Sequence, residues 1–341
     1  MTLVIGTDEA GYGPNLGPLV VAATAWRVAA DAADAEPVLA QAVAEAGADH
    51  DGPLWADSKR IYRGGGGFAA LERGALVAVG LATGGLPRSW PDLAAAIGCD
   101  GGTEPAPPEV AQLALATLPA ETGPDACLAL TTRLGPRLAA ARLVAIRCRI
   151  IQPATFNRLL DAGLNKSDIL SQTTLQLAAE LAAHNGGPTL VWCDRHGGRR
   201  RYAPLVARHF GAPLVQAVEE TATRSVYALP AAAGRVEFSV GGESRTPVAV
   251  ASMTAKYVRE LAMRASWRCG RSTPIGPASI PRSRRRPAIP WMRPAGAAKP
   301  RRPSRPPAFP GTPSGGGRDL AAAGSRSHNR GACPHSPPSS T

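Results

Sequence analysis

Carboxylates stand at three places where this 341-residue chain has the means to do chemistry. Asp8 and Glu9 are adjacent and end the apolar run Thr2 to Thr7; Asp194 ends a second run, Leu190-Val191-Trp192-Cys193; Glu243 stands in Gly241-Gly242-Glu243-Ser244, just ahead of a helical pattern. Carboxylates gathered in one place repel one another, and that repulsion is relieved by protonation or by bound cations. Hard oxygen donors favour Mg²⁺ or Mn²⁺ over zinc. Two such ions about 3.5–4 Å apart activate a water and stabilise the leaving oxygen of a phosphodiester. Each acid also has a plainer reading. Asp8-Glu9 fits a solvated loop, Asp194 a turn residue before a basic loop (His196 to Arg201), and an acid at position 243 is favoured by the helix dipole whatever its function. Neighbours on a strand face opposite sides, so Asp8 and Glu9 share a site only if the backbone turns there. Gly11, Gly13, Pro14, Asn15 and Gly17 supply the turn residues.

The elements that must position these acids are legible in outline. Thr2 to Thr7 and Leu19 to Trp26 have the length and apolar content of strands, as do Arg142 to Ile151, Thr189 to Cys193, Pro213 to Val218 and Arg235 to Val240. Residues 28 to 48 are Ala-rich and helical in pattern, and another helical segment follows the break at Gly64 to Gly67. A helix over Asp168 to His184 carries Leu170, Thr174, Leu177 and Leu181 on one face, with Ser167 and Asp168 as suitable caps. Pro247 opens a last helix with Val250, Met253, Tyr257 and Leu261 on one stripe; proline is tolerated in a first helical turn. Strands interleaved with helices predict an α/β domain. In open α/β sheets ligands gather at the carboxyl ends of strands, where Asp194 falls. From Gly84 to Pro136 the Ala/Pro/Gly-rich text reads as a partly helical insertion around a flexible stretch at Gly101 to Pro108.

Taken in order, Gly6-Thr7-Asp8-Glu9-Ala10-Gly11-Tyr12-Gly13-Pro14 and Gly17-Pro18-Leu19-Val20-Val21-Ala22-Ala23 resemble the opening of the ribonuclease HII and HIII family. Asp57-Ser58-Lys59 resembles that family's DSK element, Ile169 to Leu177 its central helix, Trp192-Cys193-Asp194 its strand ending in a catalytic Asp, and Ala251-Ser252-Met253-Thr254-Ala255-Lys256 its ASxxAK helix. The opening motif is the specific one; the rest add weight by keeping the family's order over most of residues 1 to 264. The resemblance implies an RNase H-like fold, a mixed central sheet flanked by helices, with four carboxylates holding two Mg²⁺ or Mn²⁺ ions. It also implies hydrolysis of the RNA strand of RNA–DNA hybrids, or at ribonucleotides in duplex DNA, leaving a 3′-hydroxyl. Asp8, Glu9 and Asp194 match three of the acids. Glu243 looks like the Glu of ribonuclease HIII in the fourth place, with Glu219, Glu220 and Glu237 as rivals. Gly11, Tyr12, Gly13, Lys59, Arg199 and Lys256 are the candidate substrate contacts. Tyr12 departs from the family's GRG turn, since tyrosine carries no charge for a phosphate; Arg199 to Arg201 are candidates for that contact, a solvated loop being the alternative.

Charge is unevenly placed. The formal charge of +12 comes from Ala265 to Thr341, which holds 14 basic residues, one acidic residue and 15 of the 33 prolines; the 264 residues before it hold 24 basic and 25 acidic. That stretch is either a disordered basic arm adding salt-sensitive attraction to nucleic acid or the product of a shifted reading frame. The domain expectation is therefore a catalytic unit over 1–264 and a low-complexity tail over 265–341. No run of 18 apolar residues is present, so no membrane span is expected, and the opening lacks the basic n-region of a secretory signal. Six scattered cysteines with no CxxC pair predict a reduced, cytoplasmic protein without structural zinc, and a monomer is expected. Neither a GxxxxGK[ST] loop, a dinucleotide fingerprint nor a GxSxG elbow occurs. The rivals are a non-catalytic nucleic-acid-binding protein that retains the fold, and a nuclease acting on a different substrate with the same fold.

Overall fold

The structure, a computed structural model, describes residues 1–12, 17–47, 54–56, 58–61, 67–99, 113–183, 185–212, 214–229 and 234–268. Gly13 and most of the 265–341 stretch lie outside the described residues, as do the 101–108 segment and the side chains of Lys59 and Trp267.

Strand β1 (Thr2–Ala10) is buried along almost its whole length, as its Leu3-Val4-Ile5 run demands of a central strand. It pairs antiparallel with β2 (Leu19–Val28), which pairs antiparallel with the edge strand β3 (Ala141–Ile151). On its other side β1 runs parallel to β4 (Thr189–Asp194), and β4 parallel to β7 (Gly234–Ser239). Two antiparallel strands, β6 (Arg224–Leu229) and β5 (Gln216–Glu220), complete a seven-stranded mixed sheet of order β3-β2-β1-β4-β7-β6-β5. The parallel trio β1, β4 and β7 therefore ends at one edge.

Alternation along β1 sends Val4 to one face and Leu3 and Ile5 to the other, and a separate core lies on each. Of the helices α1 (Ala35–Gly47), α2 (Ser58–Ile61), α3 (Gly67–Thr83), α4 (Trp90–Ala96) and α5 (Pro124–Arg137), α3 brings Leu71, Leu76 and Val79 to the first core. The last helix, α9 (Thr246–Arg268), adds Val250, Met253 and Tyr257. Within the 84–136 stretch both α4 and α5 are helical, and Leu93, Ile97, Leu118 and Cys127 join this same core. After α6 (Pro153–Asp161), the second core is formed by α7 (Lys166–Ala182) and α8 (Ala203–His209) with Tyr227 and Phe238. The fold is thus a mixed central sheet flanked by helices, as expected. Among the described residues no helix is long and apolar enough to cross a membrane.

Several boundaries differ from the sequence reading. Helix α7 begins at Lys166, and its cap is Asn165: Asp168 N–H donates to Asn165 Oδ1 at 2.9 Å while Asp168 Oδ2 accepts from Asn165 N–H at 3.3 Å. This reciprocal box makes Asp168 the third helical residue instead of the cap. Helix α9 continues to Arg268, beyond the point where its apolar stripe fades.

Candidate active site

The acids sit at the shared carboxyl edge of the parallel trio. Strand β1 pairs Thr7 with Cys193 of β4, so Asp8 and Asp194 are the next residues on adjacent parallel strands, whose backbones run about 5 Å apart. The strand does not turn between Asp8 and Glu9, contrary to the expectation for a shared site; it runs on to Ala10, and the chain leaves the strand at Gly11. Alternation then places Asp8 on the face covered by α9 and Glu9 on the opposite one, although the charge of Glu9 still acts on Asp8. Gly11 has φ +96°, and a Cβ there would come within 2.4 Å of Pro18 O, so the turn closes back on β2 only with glycine.

Glu243 arrives from the far side of β4. After β7 the chain makes a short 3₁₀ turn, Gly242–Ser244, before α9 begins. Gly242 lies so close to the end of β4 that an added Cβ would stand 3.2 Å from Asp194 Cα and from Cys193 O. Its N–H donates to Asp194 Oδ1 at 3.0 Å, which fixes the Asp194 carboxylate beside the residue that precedes Glu243. From α9, the Ser252 hydroxyl contacts Glu243 Oε1 at 3.5 Å and Ser58 Oγ of α2 at 3.0 Å. Helix α9 lies directly on β1 because Gly6 leaves room for it; a Cβ at Gly6 would overlap Pro247.

The charges of Glu9, Asp194 and Glu243 all bear on Asp8. It is 5% exposed, and its proton is held well above the usual carboxylate range. Burial is the main cause, followed by the charge of Glu9, with Asp194 and Glu243 adding to it; the Ser252 hydroxyl acts the other way. Asp8 Oδ1 accepts from Glu9 N–H at 2.8 Å, but the buried Oδ2 receives no hydrogen bond. A buried carboxylate oxygen without a donor is costly, and a proton or a cation would meet its need equally. The donor chemistry therefore fits a hard divalent ion. Among the described residues, however, no group of three or more His, Cys, Asp or Glu side chains is arranged to hold a metal ion.

The rival acids are committed elsewhere. Glu237 is buried, and although burial pushes its carboxyl up, bonds from Arg224 and Arg245 at 2.8 Å outweigh that and hold it below the usual range. Glu219 pairs with Arg224 at 3.0 Å, and Glu220 accepts from the Tyr227 hydroxyl at 2.6 Å.

Of the candidate substrate contacts, Tyr12 lies at the site: its hydroxyl packs against Gly197, and its phenol proton is held more tightly by burial and by Glu9, with Arg199 opposing. Arg199 itself binds Ser167 Oγ at 3.0 Å and pairs with Asp168 at the start of α7. Lys256 pairs with Glu260 one turn along α9 at 2.7 Å. His196, behind Asp194, is 1% exposed, contacts Ser171 Oγ at 2.9 Å and is kept neutral by burial, its pKa lowered to about 3. Sequence reasoning did not single out Ser252 or the Gly242 amide as site groups. The serine of the ASxxAK element was the available signal for the first; the second has no side chain to read.

No protein-family model and no curated protein matches the chain. Among solved structures it is similar to the ribonuclease HII of the PCNA:RNase HII complex from Archaeoglobus fulgidus, at 16% identity and TM-score 0.35, over 82% of this chain and 84% of that one. It is also similar to ribonuclease H2 from Pyrococcus horikoshii OT3, at 14% identity and TM-score 0.33, over 79% and 77% of the two chains. A third likeness is to Bst-RNase HIII in complex with Mn²⁺, at 16% identity and TM-score 0.37, over 79% of this chain and 55% of that one.

Proposed function

We propose that this chain is a metal-dependent endonuclease that hydrolyses the RNA strand of RNA–DNA hybrids or cleaves at ribonucleotides in duplex DNA. The observation that carries this reading is Asp8: a buried carboxylate with one oxygen lacking a donor, under the charge of three further acids delivered by β1, β4 and the turn after β7. A fold that only had to be stable would gain by replacing Asp8 with an apolar residue. Asp8, Glu9, Asp194 and Glu243 would hold Mg²⁺ or Mn²⁺, as a pair of ions, and the bound metal would supply charge neutralisation at the phosphodiester and acidify the attacking water. The chain's own residues do the rest. Asp8 and Asp194 are held at fixed spacing by the β1–β4 register, the Gly242 amide orients Asp194, and Ser252 and Ser58 brace Glu243. Gly11 brings backbone close to the edge where a duplex would lie, and Tyr12 offers a ring and a hydroxyl in place of a cation.

Cleavage of labelled duplexes carrying one or several ribonucleotides, compared in Mg²⁺ and Mn²⁺, tests the reading. Metal-stimulated scission at ribonucleotides supports it, and its absence in every duplex overturns it. A second reading is a non-catalytic nucleic-acid binder, in line with the finding that among the described residues no group of three or more His, Cys, Asp or Glu side chains is arranged to hold a metal ion. Hybrid binding without metal-stimulated scission would select that alternative.

A further inference from the structure

The turn that carries Glu243 is tied down by a side chain two residues away. Arg245 closes the 3₁₀ turn through its backbone, N–H to Gly242 O at 3.0 Å, and its carbonyl accepts from Val248 and Ala249 as α9 begins. Its guanidinium reaches three other elements. Nε donates to Glu36 of α1 at 2.8 Å, Nη1 donates to Glu237 of β7 at 2.8 Å, and the plane lies over the Trp192 ring of β4, 4.8 Å from its centroid. Glu237 is 4% exposed and is gripped from its other oxygen by Arg224, which also holds Glu219. The result is a row of alternating charge from α1 to β5, anchored over the strand that ends in Asp194. A lysine offers one point of charge and no planar fork, so it cannot make both carboxylate bonds and the ring contact at once.

We propose that Arg245 is the positioning residue for Glu243, holding the 241–246 turn at the distance from β4 at which Glu243 joins Asp8 and Asp194; the consequence for metal rests on the nuclease reading above. Among the described residues the Arg245 guanidinium bonds Glu36 and Glu237, not Asp8, Glu9, Asp194 or Glu243, so its effect on Glu243 runs through the backbone of the turn. The charge on Glu237 is what keeps the guanidinium turned away from the acids, since an unpaired arginine two residues from Glu243 would be drawn towards them.

Two readouts on Arg245→Met test this. Amide hydrogen exchange at Glu243, Ser244 and Arg245 in the metal-free protein reads the turn itself, and it is expected to quicken by roughly tenfold or more while amides in β1 and β4 keep their protection. Mn²⁺ binding followed by electron paramagnetic resonance without nucleic acid reads the consequence, and affinity is expected to fall roughly tenfold, the lower end for losing a residue that orients a ligand. Glu36→Gln, at a half-exposed partner, is expected to stay within about twofold of the parent in both. Unchanged exchange in Arg245→Met overturns the proposal, as does quickening spread evenly over the domain. If that variant does not fold, Arg245→Lys decides, with exchange faster than the parent expected and parental exchange overturning it. Should the parent bind no Mn²⁺ while the turn loosens as expected, the nuclease reading fails and the anchoring role stands.

Discussion

Two carboxylates are buried against α9 in the first core, and the molecule treats them in opposite ways. Glu72 of α3 is fully buried, and both its oxygens are used: Oε1 accepts from Ala120 N–H at 2.7 Å and the Tyr257 hydroxyl at 2.9 Å, while Oε2 accepts from the N–H groups of Glu121 and Thr122 at 2.8 Å. It ties the segment before α5 to α3 and α9, and burial together with Glu72 holds the Tyr257 proton far above its usual value. Asp8 is nearly as buried, yet one oxygen has no donor and the charges of Glu9, Asp194 and Glu243, all of its own sign, act on it. A satisfied buried carboxylate is a structural part. An unsatisfied one among like charges is a strained group held in readiness, and strain of that kind gathers where ligands bind.

Substitution should separate the two. Asp8→Asn keeps the shape and removes the charge, and metal-stimulated cleavage is expected to fall by roughly 10³-fold, the scale of losing one preorganised electrostatic group; cleavage within tenfold of the parent would remove Asp8 from the site. Glu72→Gln should do the converse. The new amide faces backbone N–H groups with N–H of its own, and losing charge-assisted bonds in a dry place costs about 2–3 kcal/mol, a fall in Tm of about 5–10 °C by scanning calorimetry. At temperatures where the variant is folded, its cleavage rate should match the parent. A stable but inactive Glu72→Gln would break the distinction.

The same contrast explains how much was readable in advance. Asp8, Glu9 and Asp194 were visible because apolar runs of strand length end on them, and strand ends are local features of a sequence. The sheet and the long helices were legible for the same reason, since periodicity is carried by neighbours. Glu72 gave no such signal: it lies in an Ala/Leu-rich helix, and its partners are 48 to 50 and 185 residues away. Arg245 is equally silent, its partners being at 36, 192 and 237. Strand β6 escaped because Arg224-Ser225-Val226-Tyr227-Ala228-Leu229 is short and opens on polar residues. Its inward positions are identified only by pairing with β7. Helix α6, nine residues long with Pro153 in its first turn, is similarly too brief for periodicity to declare itself.

The smallest effect is the most direct measure of the strain at Asp8. Its folded-state pKa is raised above the value near 3.9 that an aspartate has in an unfolded chain. Below about pH 3.9 the group is protonated in both states and contributes no penalty. As pH rises through the folded value, the unfolded chain releases the proton first, so the metal-free protein loses stability with increasing pH over that window. Asp8→Asn removes the penalty. At neutral pH and without divalent ions it is therefore expected to be more stable than the parent by on the order of 1 kcal/mol, or about 2–4 °C in Tm. His196 works in the opposite sense. Its folded pKa, lowered to about 3, makes stability fall as pH drops below about 6.5, so the two proteins must be compared at each pH rather than one read alone. Because His196 is common to both, the difference in Tm should widen from about pH 4 upward and shrink when Mg²⁺ or Mn²⁺ is added, since a cation bound at the acids does for the parent what the amide does for the variant. A variant less stable than the parent at every pH would mean that Asp8 is held by bonds like those of Glu72, and the contrast between the two carboxylates would collapse.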